Sequence, residues 1–191
     1  DGELDALAEK FETAHLLRLP NFFDPDLGDM LQRRLSRAAF TPRFDGDLVI
    51  EHTLADDGLF AVCLFLLNDP KVLAVIDRVT RSGPFASFKG RIYQRGEPAK
   101  PGEQYYEWHD DVFEERRVAL SVNLGRLPYG GGTLQVRSAA SHQPVAEAAN
   151  VAYLEALLLR VADGLEHRVA PVFGPVSRTA LAGWFRGVPA G

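Results

Sequence analysis

A chain of 191 residues, 46% hydrophobic and 25% charged, is long and apolar enough to bury a real core as one ordinary globular domain. A net charge of −5 and an isoelectric point near 5.5 lack the basic footprint of a dedicated nucleic-acid binder, and none is expected as a partner. A single cysteine excludes an intrachain disulfide, and no run reaches the roughly 18 apolar residues that a membrane-spanning helix needs.

The first eighty residues read as mostly helical. Leu4, Leu7, Ala8 and Phe11 recur at helical spacing, and His15 to Leu19 follows as a short strand. Asp24-Pro25 is a helix N-cap followed by proline at the first helical position, with Leu27, Met30, Leu31, Leu35 and Ala38 as an apolar stripe behind it. Asp69-Pro70 repeats the device ahead of Val72, Val75, Ile76 and Val79. Between them, 59–67 is apolar enough for a fully buried helix, and Cys63 inside it reads as a small buried hydrophobe.

From residue 83 onward the pattern changes to short strands with turn signals between them. Arg91-Ile92-Tyr93 leads through a Gly/Pro/Lys-rich turn into Tyr105-Tyr106-Glu107-Trp108, then 118–124 forms another strand. A glycine turn at 129–132 delivers Thr133 to Arg137, and apolar runs follow at 157–161, 167–173 and 179–185. The small, polar segment 138–150 separates two of these strands, either as a cover over a pocket mouth or as a passive surface loop. Close-spaced strands of this kind indicate a sandwich or jelly roll. The fold class expected is therefore mainly β with flanking helices (α+β), with a helical support region at 1–82 packed on one sheet of a β core at 83–186.

Chemistry concentrates in Trp108-His109-Asp110-Asp111 and in His167. If the first group lies on a strand, alternation projects His109 and Asp111 from one face and sends Trp108 and Asp110 to the other. That reading favours Asp111 over Asp110 as a ligand. A second strand bringing in His167 completes two histidines and one carboxylate around a metal, with coordination positions left open, the arrangement suited to Fe(II) oxygen chemistry. Eleven residues beyond His167 stands Arg178, whose planar guanidinium can hold a carboxylate through two parallel hydrogen bonds. Ala180 and Ala182 share its face in an extended strand and leave space for a slender diacid, with Trp184 closing one end. Tyr93 shares strand parity with Arg91 and Arg95, so its face is polar enough for a pocket wall. Ser121 and Asn123 face one side of their strand, and either line the pocket or satisfy backbone groups. Arg116-Arg117 reads first as a solvated strand end, with contact to an acidic substrate as the alternative. His15, His52 and His142 have no liganding context.

Taken in order, Arg91-Ile92-Tyr93, Trp108-His109-Asp110-Asp111, Leu124 with Gly131-Gly132-Thr133-Leu134, Glu166-His167-Arg168-Val169, and Arg178-Thr179-Ala180-Leu181-Ala182-Gly183-Trp184-Phe185 resemble the 2-oxoglutarate- and Fe(II)-dependent oxygenase superfamily in its prolyl-hydroxylase-like branch. The resemblance covers roughly 85–185. It implies a double-stranded β-helix core with His109, Asp111 and His167 on Fe(II). It also implies Arg178 on the distal carboxylate of 2-oxoglutarate, helped by Tyr93, with dioxygen as the second cosubstrate. Many prolyl hydroxylases carry lysine where this chain has Arg178. Because Asp111 fills the carboxylate position, the resemblance implies hydroxylation of a peptide side chain or a small molecule, with release of succinate and CO₂, in a reducing cytoplasm. The alternatives are a cupin-type metalloenzyme that does not use 2-oxoglutarate, and a non-catalytic jelly-roll binding module.

Overall fold

The computed structural model describes residues 2–45, 48–97 and 107–189. Helix α1 (Gly2–Ala14) is followed by strand β1 (Leu16–Leu19), helix α2 (Pro25–Leu35) and a hairpin of β2 (Phe40–Asp45) and β3 (Leu48–Leu54). Helices α3 (Asp57–Leu67) and α4 (Pro70–Thr80) come next, then the long β4 (Phe85–Arg95) and β5 (Arg116–Asn123). The remainder is strand: β6 (Gly130–Gly131), β7 (Leu134–Ser138), β8 (Pro144–Ala148), β9 (Ala156–Arg160), β10 (Leu165–Val169), β11 (Val172–Phe173) and β12 (Arg178–Gly187).

Both proline-initiated helices form as their caps dictate. The Asp24 carboxylate accepts from the Asp26 amide at 2.9 Å, and that of Asp69 accepts from the Lys71 amide at 2.8 Å, each satisfying a donor that the first helical turn leaves bare. Asp56 does the same for Gly58 and Leu59 at the start of α3.

The strands form a seven-stranded antiparallel sheet in the order β1-β9-β5-β12-β4-β3-β2, a three-stranded sheet β10-β7-β8, and the short pair β11-β6. The expected jelly-roll core is present. The region 1–82 holds the expected helices and, at β1, the expected short strand, but it also contributes an unforeseen hairpin, β2 and β3, to the large sheet. The hairpin escapes a reading by periodicity because Phe40 to Leu54 mixes proline, charges and β-branched residues without a steady alternation. Segment 138–150 is likewise more than a loop, since β8 within it pairs with β7. The apolar run 167–173 is cut by Ala170-Pro171 into β10 and β11.

The two faces of the large sheet do different work. Its outer face packs against the helical stripes, with Phe11, Leu31, Leu59, Leu67 and Ile76 buried against Phe88, Ile92, Leu120, Leu158, Leu181 and Phe185. Its inner face meets the small sheet in a second apolar cluster of Leu16, Leu134, Val136, Ala148, Leu157 and Leu159. This is why β9 is buried on both faces: Leu158 looks to the helices and its two neighbours look inward. Helix α3 is not fully buried as expected. Leu59, Cys63 and Leu67 face the sheet, but Phe65 is 78% exposed, because the helix has a sheet on one side only. Burial pushes the Cys63 thiol up to about 11, so it stays protonated and unreactive.

Phe185 is fully buried, with its ring 5.0 Å from that of Phe88 and 5.6 Å from that of Phe85. Phe185→Ala should cost about 3–5 kcal/mol of unfolding free energy, read as a lower urea midpoint, because the aromatic cluster cannot close over the vacated volume.

Candidate active site

Two reciprocal hydrogen bonds bring together the residues that could hold a metal ion. The His109 amide donates to the His167 carbonyl at 3.1 Å and the His167 amide donates to the His109 carbonyl at 2.8 Å, an isolated antiparallel bridge. His109 and Asp111 therefore do not lie on a regular strand, as alternation alone would have it. A single bridge pins His109 to β10, and the chain then bends so that Asp111 turns inward. Asp110 instead caps that bend, its carboxylate accepting from the Val112 amide at 3.1 Å. Trp108 sits on the other side, sandwiched between the guanidiniums of Arg137 and Arg168 at 4.3 and 4.6 Å from its ring centre.

One ligand atom from each of His109, Asp111 and His167 lies within 4.8 Å of the other two. The imidazole centres are 4.4 Å apart, and His167 Nε2 stands 3.3 Å from Asp111 Oδ2. His109 Nδ1 is 3.0 Å from the Glu107 carbonyl, which can only accept, so Nδ1 carries the proton and Nε2 keeps the lone pair a metal needs. The Asp111 carboxylate is held from two sides: Trp184 Nε1 donates to Oδ2 at 2.8 Å, and Arg116 Nη1 approaches Oδ1 at 3.4 Å. Burial opposes its ionisation, but the hydrogen bond and charge of His167, with the Trp184 donor and the nearby His109, hold its carboxyl below the usual range. Trp184 thus reaches the ligand carboxylate, and Arg116 stacks on its indole at 3.8 Å. Arg116 is no solvated strand end, and Arg117 is tied to the Ser82 and Gly83 carbonyls.

Arg178 is 3% exposed at the start of β12. Its Nη1 donates to the Tyr93 hydroxyl at 2.6 Å and its Nη2 to the Ser121 hydroxyl at 2.7 Å. Tyr93 and Ser121 come from the two strands that flank β12, opposite Ala180 and Ala182, and the long Arg178 side chain runs along that shared face to reach both. Burial by itself would raise the Tyr93 pKa; the charges of Arg178 and Arg95 outweigh it and hold the hydroxyl below its ordinary value. Asn123 turns away from this cluster and satisfies the Val151 carbonyl instead, at 2.8 Å. Arg178 Nε is buried without a hydrogen-bond partner, and the buried Tyr129 hydroxyl lies close to its guanidinium. An unsatisfied guanidinium donor on a cavity wall suits an incoming carboxylate. Sequence reading passed over Tyr129 as a turn residue. Its place depends on Gly132, at φ +69°, where a Cβ would sit 2.8 Å from the Tyr129 ring.

Both clusters open into one cavity of about 530 Å³, lined by His109, Asp111 and His167 toward one end and by Arg178, Tyr93 and Ser121 toward the other. Glu51, which no sequence pattern marks out, is 2% exposed beside the cavity. Its carboxylate pairs with both arms of Arg91 and reaches Arg43 at 3.0 Å and Arg95 at 3.5 Å. Burial works against its charge, yet Arg91 first, then Arg95 and Arg43, outweigh that and hold its pKa below the ordinary value. A depressed folded pKa contributes stability above the ordinary carboxylate range, which is lost as pH falls through the folded value.

The model of the 2OG-Fe(II) oxygenase superfamily matches residues 94–186. No curated protein matches the chain by sequence. In structure it is similar to a Pseudomonas putida prolyl-4-hydroxylase, 20% identical, with 97% of this chain and 100% of that one covered at a TM-score of 0.65. A prolyl hydroxylase from Trichoplax adhaerens, solved with a hypoxia inducible factor oxygen degradation domain peptide fragment, is 14% identical, with 97% and 89% covered at 0.68. The alpha ketoglutarate dependent epimerase SnoN from nogalamycin biosynthesis is 13% identical, with 95% and 81% covered at 0.68.

Glu51→Gln should lower stability near neutral pH by about 3–5 kcal/mol, because three guanidiniums lose their shared counter-charge. Urea midpoints measured across pH should show the gap from wild type closing on acidification. Residues 94–186 belong to the 2OG-Fe(II) oxygenase superfamily, and the chain as a whole shares its fold with prolyl hydroxylases.

Proposed function

We propose that the whole chain works as one Fe(II)- and 2-oxoglutarate-dependent dioxygenase domain that hydroxylates an unactivated C–H bond of a small molecule or a peptide side chain. The observation that carries this reading is the pairing, within one cavity, of three ligand atoms inside 4.8 Å with a buried arginine whose Nε has no partner. His109, Asp111 and His167 would hold Fe(II), and two imidazole nitrogens with one carboxylate oxygen are the donor set that metal takes in such enzymes. Arg178, with Tyr93, Ser121 and Tyr129 around it, would hold the distal carboxylate of 2-oxoglutarate. Bound together, the metal, cosubstrate and dioxygen supply oxidative decarboxylation to succinate and CO₂, coupled to hydroxylation of the substrate.

The protein's own residues do the orienting. Arg178 enters the cavity already aligned by two hydroxyl acceptors, so little side-chain entropy is lost when a carboxylate arrives. Trp184 and Arg116 fix both oxygens of Asp111, which limits the carboxylate to one rotamer and keeps the metal's remaining positions open. The apolar inner face, with Leu134, Leu157, Leu159 and Val169 on the cavity wall, excludes bulk water. A volume near 530 Å³ lies within the range of small-molecule sites, and would equally take one side chain of a peptide. No single helix among the described residues is long and apolar enough to cross a membrane. A reducing cytoplasm is the simpler setting for this chemistry, since Fe(II) persists there.

His109→Ala, Asp111→Ala and His167→Ala should each abolish iron-dependent succinate formation from 2-oxoglutarate; full turnover in any of them at limiting iron contradicts the proposed ligand set. Arg178→Ala should raise the 2-oxoglutarate requirement by an amount corresponding to about 1.5–3 kcal/mol, the range for a lost charge-assisted hydrogen bond. An unchanged requirement in a steady-state titration would reassign that residue.

A further inference from the structure

The cavity wall carries more positive charge than the cosubstrate uses. Among the described residues, the guanidiniums of Arg43, Arg91, Arg95, Arg116 and Arg178 line it, in a chain whose net charge is −5. Two carboxylates answer them: Asp111 on the wall and Glu51 just behind it. Five cations against two anions leave a surplus of three. A divalent metal and a dianionic cosubstrate cancel each other, so loading the site leaves that surplus in place.

The surplus is concentrated on one wall. Glu51 spends both oxygens on Arg91 and lends one more contact each to Arg43 and Arg95. Arg95 keeps only the long 3.5 Å contact among the described residues; its Nε is buried without a partner, and its side chain is 14% exposed. Arg91, Arg95 and Arg178 all lie within 6 Å of the Tyr93 ring centre, at 5.5, 5.3 and 5.7 Å. The negative face of the ring softens that crowding without neutralising it. Like charges packed this closely in a half-dry cavity are costly unless an anion joins them. Arg43 stands half-exposed at the mouth, next to Phe44 and Ile50 from the same hairpin, so an apolar surface adjoins the cationic one.

Resting on the dioxygenase reading above, we infer that the substrate carries an oxyanion, a carboxylate or phosphate, which docks on Arg95, Arg91 and Arg43 while its apolar part lies against Phe44 and Ile50. The group that anchors substrate is thus separate from Arg178, which anchors cosubstrate. Capture from solution is favoured by the same charges, since a cavity lined by one sign focuses the field on its mouth.

The probes are chosen as matched pairs: N-acetyl-L-leucine against its amide for a carboxylate, and phenyl phosphate against phenol for a phosphate. Each is titrated by calorimetry into protein saturated with Mn(II) and 2-oxoglutarate, in wild type, Arg43→Gln and Arg95→Gln. Both substitutions leave the Arg91 pairing with Glu51 intact, and thermal melting verifies the fold. At least one anionic probe should bind tenfold or more tightly than its neutral partner, more weakly as salt rises, and five- to tenfold more weakly in each variant. The probe that binds identifies the oxyanion. Equal binding of the charged and neutral members in both pairs, absence of binding by all four, or undiminished anion binding in both variants overturns the inference. The dioxygenase reading is judged separately in the same cell: if Mn(II) and 2-oxoglutarate do not bind, that reading fails. Anion binding by the unloaded protein that Arg43→Gln weakens would then still support an oxyanion site.

Discussion

A single antiparallel bridge, two hydrogen bonds between the backbones of His109 and His167, is the constraint on which the metal-ligating cluster depends. The residues joined are fifty-eight positions apart, and one of them belongs to a segment with no other regular pairing among the described residues. Closing so long a connection costs entropy that two hydrogen bonds alone do not repay. Trp108 adds to them, its half-buried ring in contact with the guanidiniums of Arg137 and Arg168 on the outside of β10 and β7. Those guanidiniums are themselves held, by Glu166 at 2.7 Å and by Gln135 at 2.9 Å. The residue before the first histidine thus anchors it from the far side of the sheet.

The opposite end of the cavity is built differently. Arg178, Tyr93 and Ser121 come from three adjacent strands of the large sheet, and their hydrogen bonds follow from register and parity, with no loop involved. One half of the site is therefore as rigid as the sheet, whereas the other relies on a bend pinned at one point. Sites on strands hold their geometry more tightly than sites on loops. This division suits an enzyme whose cosubstrate is fixed and whose metal ligands must admit several molecules in turn.

How much of this the sequence discloses varies with the physics involved. The capped helices were legible because Asp-Pro acts locally, through one side chain and one missing amide. The jelly-roll class was legible from close-spaced strands and turn signals, and spacing and resemblance singled out His109, Asp111, His167 and Arg178, the first three of which the fold brings within 4.8 Å of one another. The β2–β3 hairpin was not, since its strands are specified by what they pair with and not by their own periodicity. Glu51 could not have been found for the same reason: an acid in a polar stretch becomes a buried counter-ion only once three arginines from neighbouring strands surround it. Asp111 turned inward as alternation suggested, though a bend capped by Asp110 is what turns it.

That hairpin sits at the very edge of the large sheet, and among the described residues the backbone of β3 pairs with β4 at two positions, His52 with Gln94 and Thr53 with Tyr93, beside the ion pairs that Glu51 makes to Arg91 and Arg95. Strands β4, β5, β9 and β12 hold one another without it. A lineage descended from such a frame can lengthen or restyle the outermost ribbon around Arg43, Phe44 and Ile50, provided that an acid still answers Arg91 and Arg95, while leaving the oxidative machinery untouched. Part of the appetite can thus drift while the chemistry is kept.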